Sequence, residues 1–130
     1  MTNCIFCKII AGEIPADKIY EDDKILAFLD INPVMPGHVL IIPREHYAMM
    51  LDVPDELLGY CFIKAKELMI KTKKAMEVDY ISVSVSGIDI PHFHIHLIPR
   101  KFNDELPGWP TKTYAEDEMQ EIAKKIRNSA

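Results

Sequence analysis

The sequence predicts an α+β fold, an antiparallel sheet carrying helices, and three observations predict it. Residues 80–86 alternate strictly, Ile81, Val83 and Val85 against Ser82, Ser84 and Ser86, which is the period of a half-buried strand. A turn at Gly87 to Pro91 leads into a second apolar-alternating run at residues 92–98, and strands joined so closely pair antiparallel. Between residues 54 and 76 the apolar positions recur every three or four residues, the period of an amphipathic helix.

Taken in order, Lys18 to Glu21, a turn at Asp22 and Asp23, and Ile25 to Leu29 read as a hairpin. Asn32, Pro33, Val34, Met35, Pro36 and Gly37 make a loop by their proline and glycine content. Residues 39–42 are a β-branched strand that stops at Pro43. Pro54 opens the long helix, with Asp55 and Glu56 in the first turn where the helix dipole favours acids. Its apolar stripe is Leu58, Cys61, Phe62, Ala65, Leu68, Met69 and Met76, and lysines fill most of the other side; the run makes about six turns. Near the end, Thr113 and Glu116 form a capping box for a last helix with the stripe Met119, Ile122, Ala123 and Ile126. Residues 1–110 read as one domain and residues 111–130 as its helical extension.

The 130 residues suit a single domain with a true core. With 48% hydrophobic and 27% charged residues the chain has an ordinary globular balance. A net charge of −5 offers no basic footprint for a nucleic acid. No apolar run approaches a membrane span, and the opening Met1-Thr2-Asn3-Cys4 lacks the marks of a signal peptide, so the expected location is the cytoplasm, with no membrane partner.

His92, His94 and His96 are spaced by two. On a strand such residues share a face, and Phe93, Ile95 and Leu97 then share the other, which must be the core. Burial thus sets the register, since a slip of one residue would bury the imidazoles and expose Phe93 and Ile95. One metal cannot take all three. The outer pair is about 13 Å apart along a strand, against zinc–nitrogen bonds of about 2.1 Å. Nucleophilic and acid–base work at phosphorus fits better, because a neutral imidazole attacks and a second one holds or protonates a leaving group.

These residues, His92-Phe93-His94-Ile95-His96-Leu97-Ile98, match the His-φ-His-φ-His-φ-φ signature (φ apolar), and the sequence resembles the histidine-triad (HIT) family. The resemblance extends to Cys4-Ile5-Phe6-Cys7-Lys8-Ile9-Ile10-Ala11-Gly12-Glu13-Ile14-Pro15, to residues 26–33 and to Pro36-Gly37-His38-Val39-Leu40-Ile41-Ile42-Pro43. It implies a HIT-like antiparallel sheet with a short N-terminal helix, one long central helix and a C-terminal helix. It also implies a homodimeric hydrolase or transferase acting on purine nucleoside monophosphates or their phosphoramidates. His94 then occupies the position of the nucleophile that carries a nucleotidyl intermediate, with His96 at the phosphate and His38 supporting the triad. Asp30 matches the carboxylate that accepts both ribose hydroxyls, and Phe28, Ile31 and Leu40 match the apolar positions around the base. No catalytic metal is required.

The sequence departs from the family before the triad, where residues 86–91 form a shortened loop without the usual Asn and Gln. Ser84, Ser86 and the backbone around Asp89 are the groups left to hold the phosphate, so the leaving group stays open. Trp109, in the equally distinct tail, reads as an anchor on the core or a reach toward a ligand or partner.

Cys4 and Cys7 fit a redox pair, half of a zinc site or two buried thiols. Cys61 lies in the helix stripe and cannot complete a four-ligand site. The zinc-binding branch of the family implies His46 and His92 as the remaining ligands of a structural zinc. Three further readings stand beside the phosphoramidate hydrolase: a dinucleoside polyphosphate hydrolase, a non-catalytic nucleotide-binding protein, and a zinc hydrolase whose metal activates water.

Overall fold

A computed structural model describes residues 4–86, 90–106 and 113–128. Its elements are α1 (Ile5–Ile10), β1 (Lys18–Glu21), β2 (Ile25–Leu29), β3 (Val39–Pro43), a single 3-10 turn (Met50–Asp52), α2 (Asp55–Met76), β4 (Tyr80–Ser84), β5 (Ile95–Arg100) and α3 (Glu118–Arg127). The five strands form one antiparallel sheet in the order β1-β2-β3-β5-β4. The fold is α+β, as the periodicities predict.

Both faces of the central strands are covered, which explains why β2 and β3 read as unbroken apolar runs rather than alternations. Ile25, Ala27, Val39, Ile41, Ile95 and Leu97 pack with Cys61, Ala65 and Leu68 of α2. Leu26, Phe28, Leu40 and Ile42 point the other way, against Cys4, Phe6 and Ile9 on and beside α1. No helix among the described residues is long and apolar enough to cross a membrane.

The β1–β2 turn is tied to α2 through Asp22. Its carboxylate accepts the backbone N–H groups of Lys24 and Ile25, at 2.8 Å each, and the hydroxyls of Tyr20 and Tyr60. Burial pushes this carboxyl up, but the four donors outweigh it and hold Asp22 well below the usual carboxylate range.

Several expectations change. The triad strand does not start at His92; β5 begins at Ile95, and His92 and Phe93 instead bond to the backbone of Ile90 and Tyr47. The histidine face is not open either, because α1 lies over it and buries His92 and His94 as deeply as the core. β4 ends at Ser84, short of the predicted Ser86, and the burial alternation does not persist: Ile81 is buried, but Val83 is 43% exposed, more so than Ser82 and Ser84 beside it, and Val85, beyond the strand end, is exposed too, because nothing packs over this edge among the described residues. Thr72 is buried in α2, whereas Met76 at the helix end is exposed. The last helix starts at Glu118, not after Thr113, and the Ala115 N–H donates to Glu118 Oε1 at 2.9 Å. Its residues Met119, Ile122 and Ile126 are exposed.

Candidate functional site

The loop from β2 to β3 closes on itself and delivers two polar side chains to the histidine face. The Asp30 N–H donates to the carbonyl of His38 at 3.0 Å, and the His38 N–H donates to that of Met35 at 3.1 Å. Gly37 takes φ +90° in this turn, and a Cβ there would lie 2.7 Å from Met76 Cγ; only glycine fits without strain. The strand register then sets Phe28 opposite Leu40 and Leu40 opposite His96, so the three share one face.

A cavity of about 420 Å³ opens on that face, within the range of small-ligand sites. Phe28, Asp30, Leu40, His94 and His96 all line it. Ile31 sits at its rim, 87% exposed. Ser86 lines a different hollow, with Met49, Met50 and Leu51, that reaches His94 from its other side. Asp89 and Trp109 lie outside the described residues.

The hydrogen bonds assign each imidazole a tautomer. A carbonyl only accepts, so His94, with Nδ1 2.8 Å from the His92 carbonyl, carries a proton on Nδ1, and in the neutral ring Nε2 is then the nitrogen with the lone pair. A backbone N–H only donates, so the Val34 N–H, 3.1 Å from His38 Nδ1, leaves that nitrogen bare and puts the His38 proton on Nε2. His38 Nε2–H then donates to His96 Nδ1 at 2.9 Å, and His96 carries its own proton on Nε2. Asp30 Oδ2 lies 3.7 Å from His38 Nε2. Burial lowers the His38 pKa, and the Asp30 carboxylate opposes this only in part, so the ring is neutral at pH 7.

Asp30, His38 and His96 have ligand atoms close enough to share a cation. The Val34 bond argues against that use. With Nδ1 accepting a hydrogen bond, His38 Nε2 keeps its proton and has no lone pair for a metal. The three read as a chain of donors ending at the cavity.

The second cluster differs in this respect. Cys4, Cys7, His46 and His92 bring their ligand atoms within 4.8 Å of one another. His46 Nδ1 is 3.2 Å from Cys7 Sγ and 3.2 Å from His92 Nδ1, and His92 Nδ1 is 3.4 and 3.5 Å from the Cys4 and Cys7 sulfurs. Zinc bonds of about 2.1 Å to nitrogen and 2.3 Å to sulfur, at tetrahedral angles, separate neighbouring donors by about 3.4–3.8 Å, within a few tenths of an ångström of these distances. The His92 Nε2–H donates to the Pro43 carbonyl at 2.9 Å, which turns a bare Nδ1 toward the sulfurs, the usual arrangement behind a metal-bound histidine. The donor set therefore fits a zinc ion. Burial pushes the Cys7 thiol up to about 11, with Cys4 beside it adding to the rise.

The histidines thus divide. His92 faces the cysteines, and His94 and His96, with ring centroids 4.8 Å apart, face the cavity. Sequence reasoning missed the cavity wall opposite the sheet: Ile5, Phe6, Ile9 and Ile14 line it from α1 and the turn that follows. Their spacing is that of any core-packing helix, and only the fold shows that their other side is a hollow.

The HIT domain family model matches residues 11–103. An uncharacterized HIT-like protein of Methanocaldococcus jannaschii is 44% identical over 106 residues, 78% of this chain and 81% of that one. Adenosine 5'-monophosphoramidase HNT1 of Saccharomyces cerevisiae is 38% identical over 130 aligned positions, 95% of this chain and 80% of that one. Among solved structures, a HIT family member from Bacillus subtilis superimposes with a TM-score of 0.85 at 36% identity, covering 98% of each chain.

Proposed function

The chain belongs to the HIT domain family, and from that premise we propose that it is a nucleotide hydrolase that cleaves purine nucleoside phosphoramidates at the α-phosphorus, through a nucleotidyl intermediate on His94. The observation that carries this reading is the Nδ1–H bond of His94 to the His92 carbonyl, which leaves Nε2 as the nucleophilic nitrogen of the neutral ring, in a side chain that lines the cavity. The yeast relative's name, adenosine 5'-monophosphoramidase, supports the substrate class.

In this mechanism Asp30 accepts the ribose hydroxyls, and Phe28 and Leu40 enclose the base, with Ile31 at the rim. His94 Nε2 bonds to phosphorus as the bond to the amine nitrogen breaks. The leaving nitrogen takes a proton from solvent, while the His96 Nε2–H, its Nδ1 held by His38, donates to a phosphate oxygen and steadies the developing charge. Water then attacks the same phosphorus, its proton passes to solvent, and His94 is released with the nucleoside monophosphate. No step runs through a metal. Zinc at Cys4, Cys7, His46 and His92 supplies a cross-link between α1, the end of β3 and the approach to β5. The chain acts as a homodimer in the cytoplasm, where the thiols of Cys4 and Cys7 stay free to serve as ligands.

The test is release of AMP from adenosine phosphoramidate, alongside a dinucleoside polyphosphate, by wild type and His94→Ala. Wild type turns over the phosphoramidate, and His94→Ala loses about three orders of magnitude or more while still binding AMP. Release by His94→Ala at the wild-type rate overturns the nucleophile. Binding without turnover in wild type overturns the enzyme, and preference for the polyphosphate overturns the substrate class.

A further inference from the structure

The metal-ligand cluster and the cavity meet on one short element. α1 spans only Ile5–Ile10, and Cys4 caps it by accepting the Cys7 N–H on its sulfur at 3.3 Å. Helices under about 12 residues do not hold their shape alone, so the position of α1 depends on its tertiary ties. Cys4 and Cys7 look toward His46 and His92, while Phe6 and Ile9 line the cavity.

Phe6, between the two cysteines, is 3% exposed and touches both sites. Its ring lies edge-on to that of His94, with centroids 5.1 Å apart at 81°. It meets Phe28 in the same way at 5.6 Å and 74°, and His92 at 5.9 Å and 75°. One side chain therefore packs on the proposed nucleophile, on the proposed base wall and on a proposed metal ligand. Such edge contacts fix ring orientation as well as burying area.

We propose that α1 couples the two sites: a thiophilic divalent cation held by Cys4, Cys7, His46 and His92 fixes Phe6 against His94 and Phe28, so that cation and nucleotide each raise the affinity for the other, with Phe6 as the positioning residue. The proposal rests on the nucleotide reading above. Binding linkage makes the effect reciprocal by the same factor.

The experiment uses the full chain with zinc and AMP as probes. Removing zinc with a chelator weakens AMP binding about fivefold or more, within the usual range of coupling between sites. AMP slows the removal of zinc from the loaded protein. Amide exchange rises at residues 5–10 on stripping and stays unchanged in β2 and β3. Phe6→Leu keeps the apolar bulk but loses the ring edge; it still binds zinc, and its ratio of AMP affinities with and without zinc falls toward one. Should stripping unfold the chain, zinc removal with and without AMP decides by itself, since that measurement starts from loaded protein. AMP affinity or zinc removal that differs by less than about twofold between the two states overturns the coupling, and a full ratio in Phe6→Leu overturns the role of Phe6. Failure of AMP to bind the zinc-loaded protein brings down the proposed function itself, a result distinct from equal binding in both states.

Discussion

His38 is the residue on which the polarity of the donor chain turns. Its proton sits on Nε2 because Val34 donates to Nδ1, and a second proton would have to be forced onto Nδ1 against that N–H. The charged groups facing it are the Asp30 carboxylate and, when protonated, His96. Burial lowers its pKa and Asp30 offsets part of the shift. With the folded value below the unfolded one of about 6.5, neutral His38 contributes stability that is present above that pH and lost as pH falls through the folded value. Ring-nitrogen NMR of His38 is expected to keep the neutral pattern with its proton on Nε2 when pH drops below 6.5. A midpoint above 6.5, or a proton on Nδ1, contradicts the assignment. Phe6 teaches the opposite lesson at this scale: a residue that reads as plain core packing touches two of the triad rings.

At the level of elements, β4 stands out because it closes the sheet on one side and keeps Tyr80 and Val83 exposed, with Val85 exposed just past its end. An apolar edge strand offers unpaired backbone groups together with side chains that gain by burial. That supports pairing with a second copy through an isologous contact. Sedimentation of the 14.9 kDa chain is expected to give twice that mass. Val83→Glu is expected to halve it without changing the far-UV circular dichroism, since Val83 is 43% exposed in the single chain. A wild-type chain that sediments as a monomer at micromolar concentration rules the pairing out. The exposed stripe of α3 has no comparable argument, because nothing among the described residues indicates what covers it.

For the molecule as a whole, the sheet separates two jobs. α2 supplies the main core on one face, and α1 forms a roof over the chemistry on the other. The four proposed zinc ligands come from positions 4, 7, 46 and 92, so a bound ion ties distant parts of the chain together. Purified protein is expected to hold about one zinc per chain. At free zinc about a thousandfold over its Kd, binding to the folded state alone adds about 4 kcal/mol, or about 15 °C in Tm for a chain of this size. A melting curve that does not move on chelation contradicts a structural zinc.

The sequence by itself determined the fold class, the boundaries of the hairpin and of the long helix, and the candidate residues of the site. Those rest on local rules: a period of two or of 3.6, a turn residue where the chain must bend, and a triad whose spacing forces His94 and His96 onto one face. Only the tertiary structure decided how the three histidines divide. His92 precedes the strand instead of beginning it, its carbonyl holds His94, and its ring turns to two cysteines some 85 residues earlier in the chain. The tautomers, the burial of the triad beneath α1 and the exposure of Val83 are likewise set by what lies across the sheet. A side chain's periodicity records which way it points, whereas its neighbour, its proton and its access to water depend on the element packed against it.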